Sequence, residues 1–364
     1  MNTQKVIISG GGTGGHIFPA IAIANEIIRR NPTAEILFVG ALGKMEMEKV
    51  PQAGYAIIGL PITGFQRRIT FSNFVLPFKL VFSLIKAFFI LKRFKPQVVI
   101  GVGGYASGPI LRIASLLNIP TVVQEQNSFP GKTNRILSKV VSTICVAYPN
   151  LDTFFPKEKI VLTGNPVRNE MVQIAGKREV AIRYFNLDTT KKTILIIGGS
   201  LGARTLNESI MENRTQILDS NTQVIWQCGK FYYPNYFNVQ EELKEQGIHL
   251  FEFIKEMDLA YAAADVIISR AGAMSVSELT IVEKPTILVP SPNVSDDHQT
   301  HNAKALGDSV LVISDKEAKE RLISTSIALT SNGEEAVNMA LKMKNYAIPN
   351  ASELIVNEIE KWMV

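Results

Sequence analysis

The run GGGTGGH over residues 10–16 sets five glycines around Thr13 and ends on His16. Successive glycines let a backbone turn sharply and come close to a ligand. A row of N–H groups leading into a helix cradles an anion, phosphate above all. At the head of that helix the positive helix end disfavours an imidazolium. His16 is therefore expected as a neutral imidazole that accepts a proton from a substrate hydroxyl. The plain alternative is a capping or packing histidine. The lack of side-chain bulk over residues 11–15 favours the chemical role.

A second run, GGSLGA over residues 198–203, carries Ser200 and Gly202. The Ser200 hydroxyl and the nearby N–H groups suit phosphate, and a tight turn before a packing helix is the bland alternative. Neither run is a mononucleotide P-loop, since no lysine follows the last glycine of the first. Gly10, Gly12 and Gly15 fit GxGxxG-like spacing, with Glu35 twenty residues beyond. Glu35 opens the next apolar run instead of closing it, which makes dinucleotide binding a weak match. Asp296, Asp297, His298 and His301 superficially suggest a metal, but no three ligands are shown to converge.

The elements that must hold these residues follow from short apolar runs alternating with helical patterns. Strands are expected over residues 5–9, 35–39, 97–101 and 121–124, then over 223–227, 249–251, 266–269 and 286–289. A further strand leads from residue 191 into the second glycine run. Helices are expected over 17–30, 44–53, 107–117, 203–213, 274–281 and 300–306. Short apolar strands separated by helices indicate parallel sheets covered on both faces. The fold class is α/β, with two Rossmann-like doubly wound domains. They are expected over residues 1–165 and 166–350, facing across a cleft beyond the C-terminal ends of their strands. A last helix over 351–364 either stays with the second domain or completes the first.

The 364 residues fit two domains better than one. With 46% hydrophobic and 20% charged residues, the composition is that of a folded protein with a sizeable core. Two cysteines exclude a disulfide scaffold and fit a reducing compartment. No signal-peptide pattern opens the sequence. Charge is divided unevenly: residues 1–165 hold 18 Lys and Arg against 7 Asp and Glu, a net +11, and the rest hold 20 against 26, a net −6. A first half this basic suits nucleic acid, an anionic membrane or a phosphorylated substrate. No zinc finger, RNA-recognition or basic-helix motif supports nucleic acid.

Residues 73–96, NFVLPFKLVFSLIKAFFILKRFKP, bear on that choice. Their uninterrupted apolar runs are shorter than the roughly 20 residues that span a bilayer. As a helix, the segment would line Lys79, Ser83, Lys86 and Arg93 along one rough polar stripe, a pattern suited to a membrane surface. Packing inside the domain is the alternative.

Taken in order, GGGTGGH, GGYASGP (103–109), EQNSFPGKTNR (125–135), GNPVR (164–168), GGSLGA, SRAGAMSVSE (269–278) and DDHQTHNA (296–303) closely resemble the MurG family of peptidoglycan glycosyltransferases. The likeness covers nearly the whole chain. It implies a glycosyltransferase-B architecture. It also implies inverting transfer of N-acetylglucosamine from UDP-N-acetylglucosamine to the C4 hydroxyl of the muramyl sugar of lipid I, forming lipid II at the cytoplasmic membrane face. No cofactor and no metal are implied. The resemblance puts Ser200 and Arg168 at the donor phosphates, the Ile254 backbone and Met257 at the uracil, and Glu278 at the ribose, with Arg270 in support. His298 and Gln299 fall in the sugar-recognition loop, Gln299 foremost. For the acceptor it points to Thr13, Gly14, Gly15, His16, Tyr105 and Asn127, with His16 as the base and Asn127 orienting the reacting sugar. An Asx-turn is the structural alternative for Asn127. Lys132 and Arg135 add positive field or form a solvated face.

Overall fold

The computed structural model describes residues 4–64 and 71–363, and the side chains of all of these except 71–75, 169 and 295. They form two compact units, Met1–Val167 with Asn350–Val364, and Arg168–Pro349.

The first unit is a seven-stranded parallel sheet of β1 (Lys5–Ser9), β2 (Glu35–Ala41), β3 (Ala56–Leu60), β4 (Val98–Gly101), β5 (Thr121–Glu125), β6 (Thr143–Val146) and β7 (Ile160–Leu162), in the order β3-β2-β1-β4-β5-β6-β7. Side chains alternate along each strand, so both faces need cover. Val6, Ile8, Val98 and Ile100 pack with Ile17, Ala20, Ile23 and Ile27 of the helix Gly14–Arg30. Ile7 and Val99 face the other way, toward Ala87, Ile90 and Leu91 of Phe71–Phe94 and Ile110 of Ser107–Leu116. The helix Ala351–Glu360 adds Ile355, Val356 and Ile359 to the first layer. Arg30 fastens it through Asn357 at 2.7 Å and Glu360 at 2.8 Å. Val364, the last residue of the expected terminal helix, lies outside the described residues.

The second unit repeats the plan with six parallel strands, β8 (Lys192–Ile197), β9 (Thr222–Gln227), β10 (Ile248–Phe251), β11 (Val266–Ser269), β12 (Thr286–Leu288) and β13 (Leu311–Val312), in the order β10-β9-β8-β11-β12-β13. The helix Arg204–Glu212 is anchored by the fully buried Trp226, whose indole N–H donates to Asn207 Oδ1 at 2.9 Å. Asn207 Nδ2 in turn donates to the Cys228 carbonyl at 3.0 Å. In both sheets the strand order reverses beside the opening strand, at β1/β4 and β8/β11. Ligands of open α/β sheets bind at that switch point. Each glycine run follows the opening strand of its sheet.

The helix Phe71–Phe94 departs from the expected polar stripe. Ser83 is fully buried, on the same side as Ala87, Ile90 and Leu91, while Phe78, Val81, Phe82, Ile85 and Phe89 are each at least half exposed. The stripe fails because Ser83 takes its place on the sheet-facing side and leaves the largest apolar groups outside. The side chains of residues 73–75, which open the same stretch, lie outside the described ones. Among the described residues no helix is long and apolar enough to cross a membrane.

Candidate active site

The first glycine run turns at Gly12, with φ +87°, and enters its helix at Gly14. Thr13 is the N-cap, exposed and without a side-chain capping bond, and the N–H groups of His16 and Ile17 close on its carbonyl at 3.1 and 3.2 Å. Gly14 and Gly15 thus stand at the open N-terminal end of the helix. His16 Nδ1 lies 2.9 Å from the Gly11 carbonyl oxygen, an acceptor only, so Nδ1 carries the proton. A neutral ring so held has its lone pair on Nε2. The ring lies against Gly103, whose φ is +96° and where a Cβ would stand 2.9 Å from Nε2. At Gly104 a Cβ would sit 2.4 Å from the Gly11 carbonyl oxygen. The loops after β1 and β4 therefore interlock through backbone that only glycine allows. Tyr105 follows, half exposed, its ring over Gly64.

Two buried carboxylates that the sequence reading passed over shape this region. Glu46 is fully buried and accepts from the N–H of Gly12 at 2.8 Å and of Ala41 at 3.0 Å, which fixes the turn from beneath. Glu125 accepts from the N–H groups of Asn127 at 3.0 Å and Gly131 at 3.1 Å, and from Asn134 Nδ2 at 2.8 Å. It also accepts from Asn127 Nδ2 at 3.3 Å, so the Asn127 amide is held within its own loop. In sequence, nothing distinguishes Glu46 from its neighbour Glu48. Glu125 did carry a signal, an acid ending an otherwise buried strand. Lys132 is exposed, and the Arg135 guanidinium stacks on Phe154 and Phe129.

In the second unit Gly199 and Gly202 take φ of +85° and +89°. A Cβ on Gly202 would stand 2.1 Å from the Cys228 carbonyl oxygen, so this turn is pressed onto the loop after β9. Ser200 is exposed and its hydroxyl has no partner among the described residues. Ile254 and Met257 are buried, and the Ile254 N–H donates to Gln227 Oε1 at 2.8 Å. Glu278, on the helix Ala273–Val282, accepts from Tyr261 Oη at 3.1 Å. Burial pushes its carboxyl above the ordinary value, and the Tyr261 bond and the Arg168 charge offset part of the rise. The Arg168 charge thus acts on the Glu278 carboxyl.

Arg270 takes the structural alternative: its Nη1 donates to Asp315 Oδ1 at 2.5 Å and to the carbonyls of Val289 and Pro290 at 3.0 and 3.3 Å. Gln299 Oε1 accepts from the N–H groups of Ser291 at 2.8 Å and Ala271 at 3.2 Å, which leaves its Nε2 without a partner among the described residues. His298 opens its helix after two left-handed residues, Asp296 and Asp297. Among the described residues no group of three or more His, Cys, Asp and Glu side chains is placed to hold a metal ion.

Comparison with known proteins accounts for both units. The glycosyltransferase family 28 N-terminal domain matches residues 6–146, and the family's C-terminal domain matches residues 193–355. The UDP-N-acetylglucosamine--N-acetylmuramyl-(pentapeptide) pyrophosphoryl-undecaprenol N-acetylglucosamine transferase of Flavobacterium psychrophilum is 53% identical over 99% of this chain and 98% of its own. The chain belongs to glycosyltransferase family 28. The transferase of the same name from Bacteroides thetaiotaomicron is 48% identical over 98% of this chain and 97% of its own. The crystal structure of Acinetobacter baumannii MurG superposes with a TM-score of 0.79 at 30% identity, over 98% of this chain and 99% of that one. Within the family 28 architecture the two glycine turns occupy equivalent places in two Rossmann-like units of glycosyltransferase-B type. One carries His16, with Nδ1 on the Gly11 carbonyl, and the other carries Ser200, whose hydroxyl has no partner among the described residues.

Proposed function

We infer that this protein transfers N-acetylglucosamine from UDP-N-acetylglucosamine to the C4 hydroxyl of the muramyl sugar of lipid I, with inversion, to form lipid II. The carrying observation is the 53% identity that runs through both units to a transferase named for that donor and acceptor. The Arg168–Ser200–Glu278 unit takes the donor, and the unit of Thr13, Gly14, Gly15, His16, Tyr105 and Asn127 takes the acceptor. Ile254 and Met257 flank the base. Because the Ile254 N–H is already engaged, its carbonyl, without a partner among the described residues, is the group left for the uracil edge. Gln299 offers its amide N–H groups to the sugar, with His298 beside it.

The reaction is one displacement. The C4 oxygen attacks the anomeric carbon as the bond from that carbon to the UDP β-phosphate oxygen breaks, and the C4 proton passes to His16 Nε2. The Gly11 carbonyl, by holding Nδ1–H, fixes the tautomer that this step requires. Charge on the departing UDP meets Arg168, the Ser200 hydroxyl and the N–H groups of its turn. Location at the cytoplasmic membrane face, without a span, is supported by the exposed apolar side of Phe71–Phe94 with Lys79, Lys86, Lys92 and Arg93 on the same helix.

The test is turnover of UDP-N-acetylglucosamine with a lipid I analogue, following UDP release and the linkage of the product. A β-linked disaccharide is expected. UDP release without transfer, or no response to this donor, would reject the reading.

A further inference from the structure

Gln227 is the last residue of β9, the middle of three neighbouring strands. Its register partners are Ile197, which ends β8, and Phe251, which ends β10. Beyond those partners the chain leaves in two directions, into the Gly199–Ser200 turn on one side and into Ile254 on the other. A side chain at the end of the middle strand reaches both. The Gln227 side chain does so with its two different ends: Nε2 donates to the Gly199 carbonyl at 3.2 Å, and Oε1 accepts from the Ile254 N–H at 2.8 Å. Gln227 is almost fully buried. An amide is the one neutral group of this length that donates at one end and accepts at the other.

The two segments it ties together belong to different parts of the nucleotide. Gly199 sits at φ +85° in the turn assigned to the diphosphate, and Ile254 in the segment assigned to the base. The Ile254 N–H has no other hydrogen-bond partner among the described residues, and the Gly199 carbonyl accepts besides only from Gly202 of its own turn, at 3.1 Å, so removing the amide strands the N–H and cuts the turn's link to the base-reading segment. We propose that Gln227 is a positioning residue that couples the diphosphate turn to the base-reading segment, so that the two donor subsites are set by one side chain. The proposal rests on the donor reading given above. It assigns Gln227 no contact with the reacting atoms.

The test compares uridine with UDP, whose affinity ratio isolates the diphosphate part of binding. In the full chain, Gln227→Met removes both bonds at similar volume. Gln227→Glu keeps an acceptor for Ile254 and loses the donor to Gly199. The Met variant is expected to weaken uridine and to lower the UDP-to-uridine affinity ratio about fivefold, the net worth of one hydrogen bond. The Glu variant should retain wild-type uridine affinity and lose only the ratio. Circular dichroism and thermal melting identify folded variants. Should Met fail to fold, Gln227→Glu alone decides. A folded variant whose UDP-to-uridine ratio matches wild type overturns the coupling, because a purely structural loss would lower melting temperature without separating the two ligands. If the wild-type protein binds neither uridine nor UDP, the donor reading fails, and Gln227 is not the cause.

Discussion

The two glycine turns use one backbone device and surround it with opposite chemistry. Both follow the opening strand of a parallel sheet, beside the point where strand order reverses. The first is locked against the loop after β4, with Gly104 against Gly11, and the second against the loop after β9, with Gly202 against Cys228 and Gly229. Beneath the first lies a buried carboxylate, Glu46, and beneath the second a neutral amide, Gln227. The first carries an imidazole where the second exposes a hydroxyl. On the proposed reading, shared topology places a ligand's charged group, and the side chains at the rim and below decide what is done with it.

The largest effect expected from this contrast is at His16. His16→Ala should lower kcat by about 10²–10⁴-fold, the usual worth of a positioned base, with UDP-N-acetylglucosamine affinity unchanged. Unimpaired turnover at saturating substrates would remove the chemical distinction between the turns.

Next come Arg168→Ala and Glu278→Ala, which should weaken UDP-N-acetylglucosamine by about 10- to 100-fold, the range for hydrogen bonds to charged groups. Calorimetric titration checks this. Unchanged affinity in both folded variants would detach the donor from the second unit. Glu278 also gives the contrast a pH signature. Burial raises its carboxyl above 4.5, so on acidification the ionised acceptor is lost earlier than a free carboxylate would be. Donor affinity should fall with pH from a point above 4.5. The group's contribution to fold stability runs the other way, greatest below 4.5 and declining as pH rises through the raised value. Glu278→Gln should flatten both trends.

A smaller effect concerns the surface of the first unit. Phe82 and Phe89 are each 64% exposed on the helix Phe71–Phe94. Replacing both by Ser should reduce binding to anionic vesicles several-fold in a sedimentation assay and leave turnover of a short-chain acceptor unaltered. Equal, negligible binding of wild type to anionic and neutral vesicles would contradict the membrane reading.

Much of this was legible in the residues themselves. The apolar runs IISG and LIIGG before each glycine turn announced buried parallel strands, and the ordered motifs announced the family. The exposed side of Phe71–Phe94 was misread in detail, because helical periodicity tells which residues share a face but not which face the sheet takes. Strands β3, β6, β7 and β13 are not among the expected ones: β6, β7 and β13 have only four, three and two residues, too few for a periodicity to show, and β3 has five, AIIGL, interrupted by Gly59. Glu46 and Gln227 were hidden for a different reason. Their importance lies in backbone groups that they meet across strands, and no local pattern records such a partner. Arg270 illustrates the converse, a residue of suggestive motif whose guanidinium is engaged by Asp315 and two carbonyls.

The division of labour between the turns is tested most directly by measuring UDP affinity in Gly202→Ala and Gly104→Ala side by side. Each puts a Cβ at positive φ against a backbone oxygen, at 2.1 Å and 2.4 Å respectively. The expected result is at least a tenfold loss of UDP affinity in Gly202→Ala, with Gly104→Ala near wild type in UDP binding but impaired in transfer to the acceptor. Equal losses of UDP affinity in the two folded variants, or the reverse order, would contradict the assignment of donor to one turn and acceptor to the other.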